Sequence, residues 1–270
     1  MKNTGFIISL ILVLTLVGCN KQIHENNTPP NIDEDVVINI KTENNYGFIT
    51  IFQNTENLQK WNGENLESEV EWQHLTLSPI DAEKYPELNK RFEEINKEND
   101  AYAHETEDSF LEIIEEFPLE SNAWHYYSHK KFDIQRADQY IVSIISDYDD
   151  YTGGAHGYYS KLGINISPET GKDISLEDVI RDREAFNKIV YDSILKSNPD
   201  EICEENRQSF YDTYKEHEYN WSIDYDKLTV YFNPYEIASF AAGIITVDVK
   251  FNEYPELFFE KYTLKMTRNE

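Results

Sequence analysis

Three glycines and a histidine within seven residues, Tyr151-Thr152-Gly153-Gly154-Ala155-His156-Gly157, are the stretch of this sequence best suited to chemistry. An imidazole changes charge near neutral pH and serves as a general base or a metal ligand. Glycines let the backbone turn sharply or approach another group closely. A plainer reading is a tight crossover loop whose histidine bonds backbone carbonyls. That reading is preferred, because no nucleophile or second ligand stands at a diagnostic spacing from His156. Gly153-Gly154 lacks the Gly-Lys-Ser/Thr ending of a phosphate loop.

Other candidates carry less. His125 and His129 are four apart in what reads as a strand, a spacing that puts them on one face but far apart for zinc. His104-Glu105 opens like a metalloprotease motif, but position 108 is Asp. Asp147, Asp149 and Asp150 have the chemistry to hold calcium, although a solvated acidic turn accounts for them. The Gly-x-Ser-x-Gly elbow of hydrolases is missing. The sequence therefore predicts no catalytic residues, no metal and no cofactor.

The N-terminus has a clearer pattern. Lys2 precedes an apolar run from Phe6 to Val17, which fits a signal peptide and is short for a membrane span. Leu16-Val17-Gly18-Cys19 then reads as a lipobox. The expectation is cleavage before Cys19, a lipid on its sulfur, and a mature chain attached to a membrane outside the cytoplasm. Residues 20–35, with Pro29-Pro30 and almost no apolar content, read as a flexible tether.

The chain of 270 residues has 24 Lys+Arg against 51 Asp+Glu, a net charge of -27. Losing residues 1–18 would remove only Lys2 from that balance. Such acidity excludes a phosphate-binding surface and hence nucleic acid. It also repels anionic lipid, which leaves attachment to the acyl chains. The charge serves solubility or steers a basic partner. With Cys19 lipidated, Cys203 has no disulfide partner and reads as a small buried residue.

These residues need a scaffold. Val36–Lys41, Tyr46–Phe52 and Val70–Leu77 read as strands, and Pro86 opens a helix, Glu87–Glu116, that Pro118 stops. Strands Ala123–Ile134, Gln139–Tyr148 and Tyr158–Ile166 follow, then a turn at Pro168–Gly171. Ser175-Leu176-Glu177-Asp178 has the form of a capping box. Helices are predicted at Glu184–Leu195 and Pro199–His217, and strands at Lys227–Phe232, Ile244–Phe251 and Tyr262–Met266. This order is α+β with mostly antiparallel strands. It divides into two subdomains, 36–150 and 151–270, the second opening with the Tyr151–Gly157 loop.

Tyr151–Gly157, Thr170-Gly171-Lys172 with Ile174–Asp178, and Leu228–Gly243 (LTVYFNPYEIASFAAG) come in an order that resembles a known family. It is the pair of domains of unknown function in the extracellular part of the lysozyme-sensing anti-sigma-V factor, which also precedes the catalytic domain of some peptidoglycan deacetylases. The resemblance spans roughly residues 36–267. Where the family often has proline before an aromatic, this chain has Ser239-Phe240. The resemblance implies a binding module without the sigma-binding or deacetylase part. Its partner would be a basic protein such as lysozyme, or cell-wall glycan. Tyr231, Phe232, Tyr235 and Phe240 are candidate aromatic anchors, Tyr231 being equally suited to a core. The alternative is an envelope hydrolase acting on peptidoglycan or polysaccharide through His156 and the carboxylates near it.

Overall fold

The computed structural model describes residues 40–44, 49–117, 124–197, 212 and 218–263. The lipobox with Cys19, the tether, Cys203 and the stretch 199–217 apart from Asp212 lie outside the described residues. The described residues belong to one compact unit. Among the described residues, no helix is long and apolar enough to cross a membrane.

The fold is α+β, with one sheet of six strands and one of three. The larger is β1 (Ile40–Asn44), β2 (Ile51–Asn62), β3 (Asn65–Leu77), β4 (Tyr126–Ala137), β5 (Val142–Tyr151) and β6 (Tyr158–Ile166), in sequence order. β2 and β3 extend well beyond the predicted strands. Gly63, at φ 66°, makes the two-residue turn between them. Every pairing in this sheet is antiparallel except β3 with β4. Parallel neighbours need a crossover, and α2 (Pro86–Glu116) supplies it after the short α1 (Pro79–Lys84).

α2 starts where Pro86 costs no hydrogen bond and presents Leu88, Phe92, Ile95, Ala103 and Phe110 to the sheet. Its first half packs on Ile51, Leu75, Phe132 and Ile144, and its second half on Leu58, Val70 and Trp72. The β3–β4 ladder ends at Trp72. Beyond it α2 side chains take over the unpaired backbone: Asn96 donates to Leu75 O and accepts from Leu75 N, both at 2.8 Å, and Asn99 donates to Gln73 O.

The smaller sheet is β7 (Asn220–Ile223), β8 (Lys227–Phe232) and β9 (Ile245–Lys250), covered by α3 (Arg183–Ser197). Phe186, Val190 and Ile194 of α3 share a core with Trp221, Leu228, Val230, Phe232 and Val249. The predicted capping box forms: Asp178 accepts from the backbone and hydroxyl of Ser175, at the head of a single 3-10 turn.

Three expectations change. Residues 150 and 151, the anticipated division into subdomains, lie within β5, and β6 stays in the first sheet. Glu260–Thr263 is a helical turn where Tyr262–Met266 was expected to begin a strand. The Tyr262 carbonyl in this turn accepts from Nη1 of buried Arg136, and residues 264–266 lie outside the described residues. Asp147, Asp149 and Asp150 belong to a strand, not a turn. Alternation sends Asp150 to the opposite face from the other two, so the three do not converge on a cation.

Candidate functional site

The glycine-rich loop and the second aromatic motif meet. Gly153 and Gly154 take φ of 99° and 94°, and Gly157 comes so close to the Asp150 carbonyl that a Cβ there would lie 2.2 Å from it. The loop carries Thr152, Ala155 and His156 exposed, while Tyr151 donates to Gly154 O at 3.0 Å. His156 lies flat against Phe240, with ring centroids 4.0 Å apart and planes 22° apart. Tyr159 meets the same phenyl ring edge-on at 5.3 Å, and Tyr235 tilts toward it at 5.7 Å.

Tyr235 is held out deliberately. It is 64% exposed and has φ 70°, a conformation that non-glycine residues adopt only when the surroundings impose it. Those surroundings are Asn233, which accepts from Lys161 N at 2.8 Å and donates to Lys161 O at 3.1 Å, and buried Pro234. The turn is thus fastened to β6 and the tyrosine stands at its tip. Phe240 is partly buried beneath the stack. Tyr231 is not a surface anchor: it is buried, its hydroxyl is 2.8 Å from Ser222 Oγ, and burial pushes its phenol up.

His156 sits in a tight loop and faces a backbone carbonyl, and it is exposed. Its Nδ1 lies 2.8 Å from Gly157 O. Among the described residues no carboxylate reaches ion-pair distance of its ring. A general base needs an orienting partner, and this imidazole has a carbonyl and a phenyl ring instead.

The His125–His129 pair weighed from the sequence gains a neighbour that the sequence did not reveal, and a second histidine cluster escaped that reading. Parallel pairing sets Glu69 opposite Tyr127. That register brings one carboxylate oxygen within 3.9 Å of His125 Nε2 and 3.4 Å of His129 Nε2, so the two histidines share a neighbour after all. The bond from His129, helped by Asn57 and Gln59 and opposed by burial, holds the Glu69 carboxyl at about 2, below its ordinary 4.5. A depressed carboxyl stabilises the fold fully above its unfolded value and loses that contribution as pH falls through the folded one. Urea unfolding midpoints of Glu69→Gln should therefore decline less than wild type between pH 4.5 and about 2. Parallel decline of the two would contradict this.

The second cluster is Glu56, His74 and Asp100, from β2, β3 and α2, close enough together to consider a metal. His74 Nδ1 lies 3.1 Å from Glu56 and Nε2 lies 2.6 Å from Asp100, which also accepts from the Trp72 indole at 2.9 Å. Each ring nitrogen already faces its own carboxylate. One ring nitrogen and an oxygen from each carboxylate lie within 4.8 Å of one another, but both carboxylates are already engaged by the ring. The arrangement is better suited to clasping α2 against the sheet.

With this geometry in hand, the sequence of the second layer can be compared with known families. Residues 172–252 match DUF3298, a protein family of unknown function. The DUF3298 segment runs from the capping box through β9, and so contains Tyr235 and Phe240 but not His156. A DUF3298 family member from Bacteroides fragilis NCTC 9343 has a similar structure, with a TM-score of 0.53 and 16% identity over 84% of this chain and 95% of its own. A DUF3298 family protein from Pseudomonas aeruginosa PAO1 gives 0.51 and 17%, over 85% of this chain and 97% of its own. At such identity the likeness concerns fold. It takes in the six-stranded sheet as well as the DUF3298 segment. No curated protein matches the chain.

Proposed function

We propose that this protein is a non-enzymatic binding module of the cell envelope, held to a membrane by lipid on Cys19, which catches a basic protein of the lysozyme type. Tyr235 carries the reading. A protein does not hold an aromatic residue in a strained backbone conformation, on a fastened turn and facing solvent, without a use for it. Exposed aromatics backed by a packed ring are the usual anchors of protein interfaces. A net charge of -27 adds long-range attraction for a basic partner. Among the described residues His156 has no acidic partner, which supports binding over hydrolysis.

The test is capture of lysozyme by the lipid-free domain at physiological salt, with Tyr235→Gly as the decisive variant. Glycine relieves the positive φ while freeing the unfolded chain, so stability should stay within about 1 kcal/mol of wild type. Affinity should fall at least tenfold, as for loss of an interface anchor. Capture that is undiminished, or no capture by wild type, would sink the lysozyme reading. Binding of insoluble peptidoglycan in its place would make glycan the partner.

A further inference from the structure

Between α2, the covered face of β4–β5–β6 and β7 lies a cleft of about 860 Å³, within the range of roughly 300–1,000 Å³ typical of small-ligand sites. Strand register builds its floor in rows. Ile134, Ile144 and Ile164 pair across the three strands in one row, of which Ile164 lines the cleft; Phe132, Ser146 and Leu162 form the next row, and Lys130, Tyr148 and Ser160 the third. The floor therefore grades from apolar to hydrogen-bonding along one direction.

The charges are sorted as well. Glu98 and Glu218 stand exposed at the rim, where water screens them, while Asp173 is paired with Arg91 at 3.5 Å, and Arg91 also meets Glu94 at 3.7 Å. Lys130 is half-buried inside, its ammonium 5.5 Å over the Tyr102 ring, and no carboxylate of the described residues reaches ion-pair distance. Burial lowers its pKa, against the pull of Glu98. Beside it Tyr102 donates to Tyr148 at 2.6 Å, and Tyr148 donates to Asp150 at 2.9 Å. Burial pushes Tyr148 up, so it stays a neutral hydroxyl. The Ser146 and Ser160 hydroxyls have no protein partner among the described residues.

We propose that this cleft binds a small sugar carrying a single carboxylate, which pairs with Lys130 while ring hydroxyls bond Ser146, Ser160 and Tyr148. Leu162, 58% exposed, offers apolar surface to the C–H face of a sugar ring. With Arg91 already engaged by Glu94 and Asp173, Lys130 is left as the cation for a ligand, which matches a monoanion. This site is separate from Tyr235, and its test does not depend on lysozyme; only the choice of probe follows the envelope reading.

The probe is N-acetylmuramic acid, with N-acetylglucosamine as the same ring without the carboxylate. Each is titrated into the domain while the amide resonances of Gly163 and Asn165 are followed. Saturable shifts are expected with N-acetylmuramic acid and none with N-acetylglucosamine. Lys130→Met, which keeps the aliphatic stem, should weaken binding at least tenfold, and the half-exposed Ser160→Ala severalfold. No saturation with N-acetylmuramic acid, equal binding of both sugars, or unchanged affinity in both variants would overturn the proposal.

Discussion

Replacing Arg136 with alanine should cost about 3–5 kcal/mol of folding free energy, the range for breaking a buried ion pair from one side. Arg136 is 1% exposed. Its Nε donates to Asp138 at 2.6 Å, its Nη1 donates to the carbonyls of Tyr262 and Asp224, and its guanidinium lies 5.0 Å over the Tyr225 ring. One side chain thus joins β4, the β7–β8 turn and the C-terminal helical turn. It reaches them because the β4–β5 register shifts between Ile134 and Arg136. The extra residue re-aims Arg136 away from the α2 face that Ile134 occupies. Without the guanidinium, Asp138 stays buried as an uncompensated charge, still held by the backbone N–H groups of Tyr140 and Ile141. The measurement is urea unfolding of the lipid-free domain at neutral pH. Lysine should not rescue, since it lacks the planar fork. A loss under about 1 kcal/mol would show that Arg136 is a spectator.

Gly163→Ala should also be strongly destabilising. A Cβ at Gly163 would lie 1.8 Å from the Trp221 carbonyl oxygen and 2.5 Å from its carbon. Both are backbone atoms, so no rotamer change can relieve the clash; β6 and β7 must move apart. Their contact holds the two sheets together: Gly163 N donates to Asn220 Oδ1 at 2.7 Å, Asn165 Nδ2 to the Trp221 carbonyl at 2.8 Å, and Asn220 Nδ2 to the Lys161 carbonyl. Overpacking commonly costs about 1–3 kcal/mol, and this case belongs at or beyond the upper end. Gly154→Ala provides the contrast. Nothing lies within 4 Å of its Cβ position, so only the positive φ is penalised, by roughly 1–2 kcal/mol. Thermal unfolding of both variants should rank Gly163→Ala well below Gly154→Ala. Equal midpoints would contradict the close approach.

Both positions show where reading the chain reaches its limit. Gly163 sits in an ordinary strand pattern, and its role depends on a strand more than fifty residues away. Arg136 looks like one more solvated charge at the end of a strand. Glu69 and His129 meet only because α2 returns the chain in parallel. The Lys130 row of the cleft is likewise a consequence of register. Local periodicity does not encode which strand will lie beside which.

What the sequence determined by itself is what short-range physics controls. Pro86 and the apolar spacing after it placed α2 to within a residue, and the Ser175–Asp178 capping box formed as read. The acidity and the α+β order are likewise local sums. The glycines of Tyr151–Gly157 marked a sharp turn with close backbone approach. Only the tertiary structure decided what that turn is for. It laid His156 on Phe240, with no acid at ion-pair distance among the described residues, buried Tyr231 and exposed Tyr235. The reason is that an aromatic residue has the same local preferences in a core and at a surface. Its fate is set by which distant elements cover it, and here the Asn233 turn, fastened to β6, left Tyr235 uncovered.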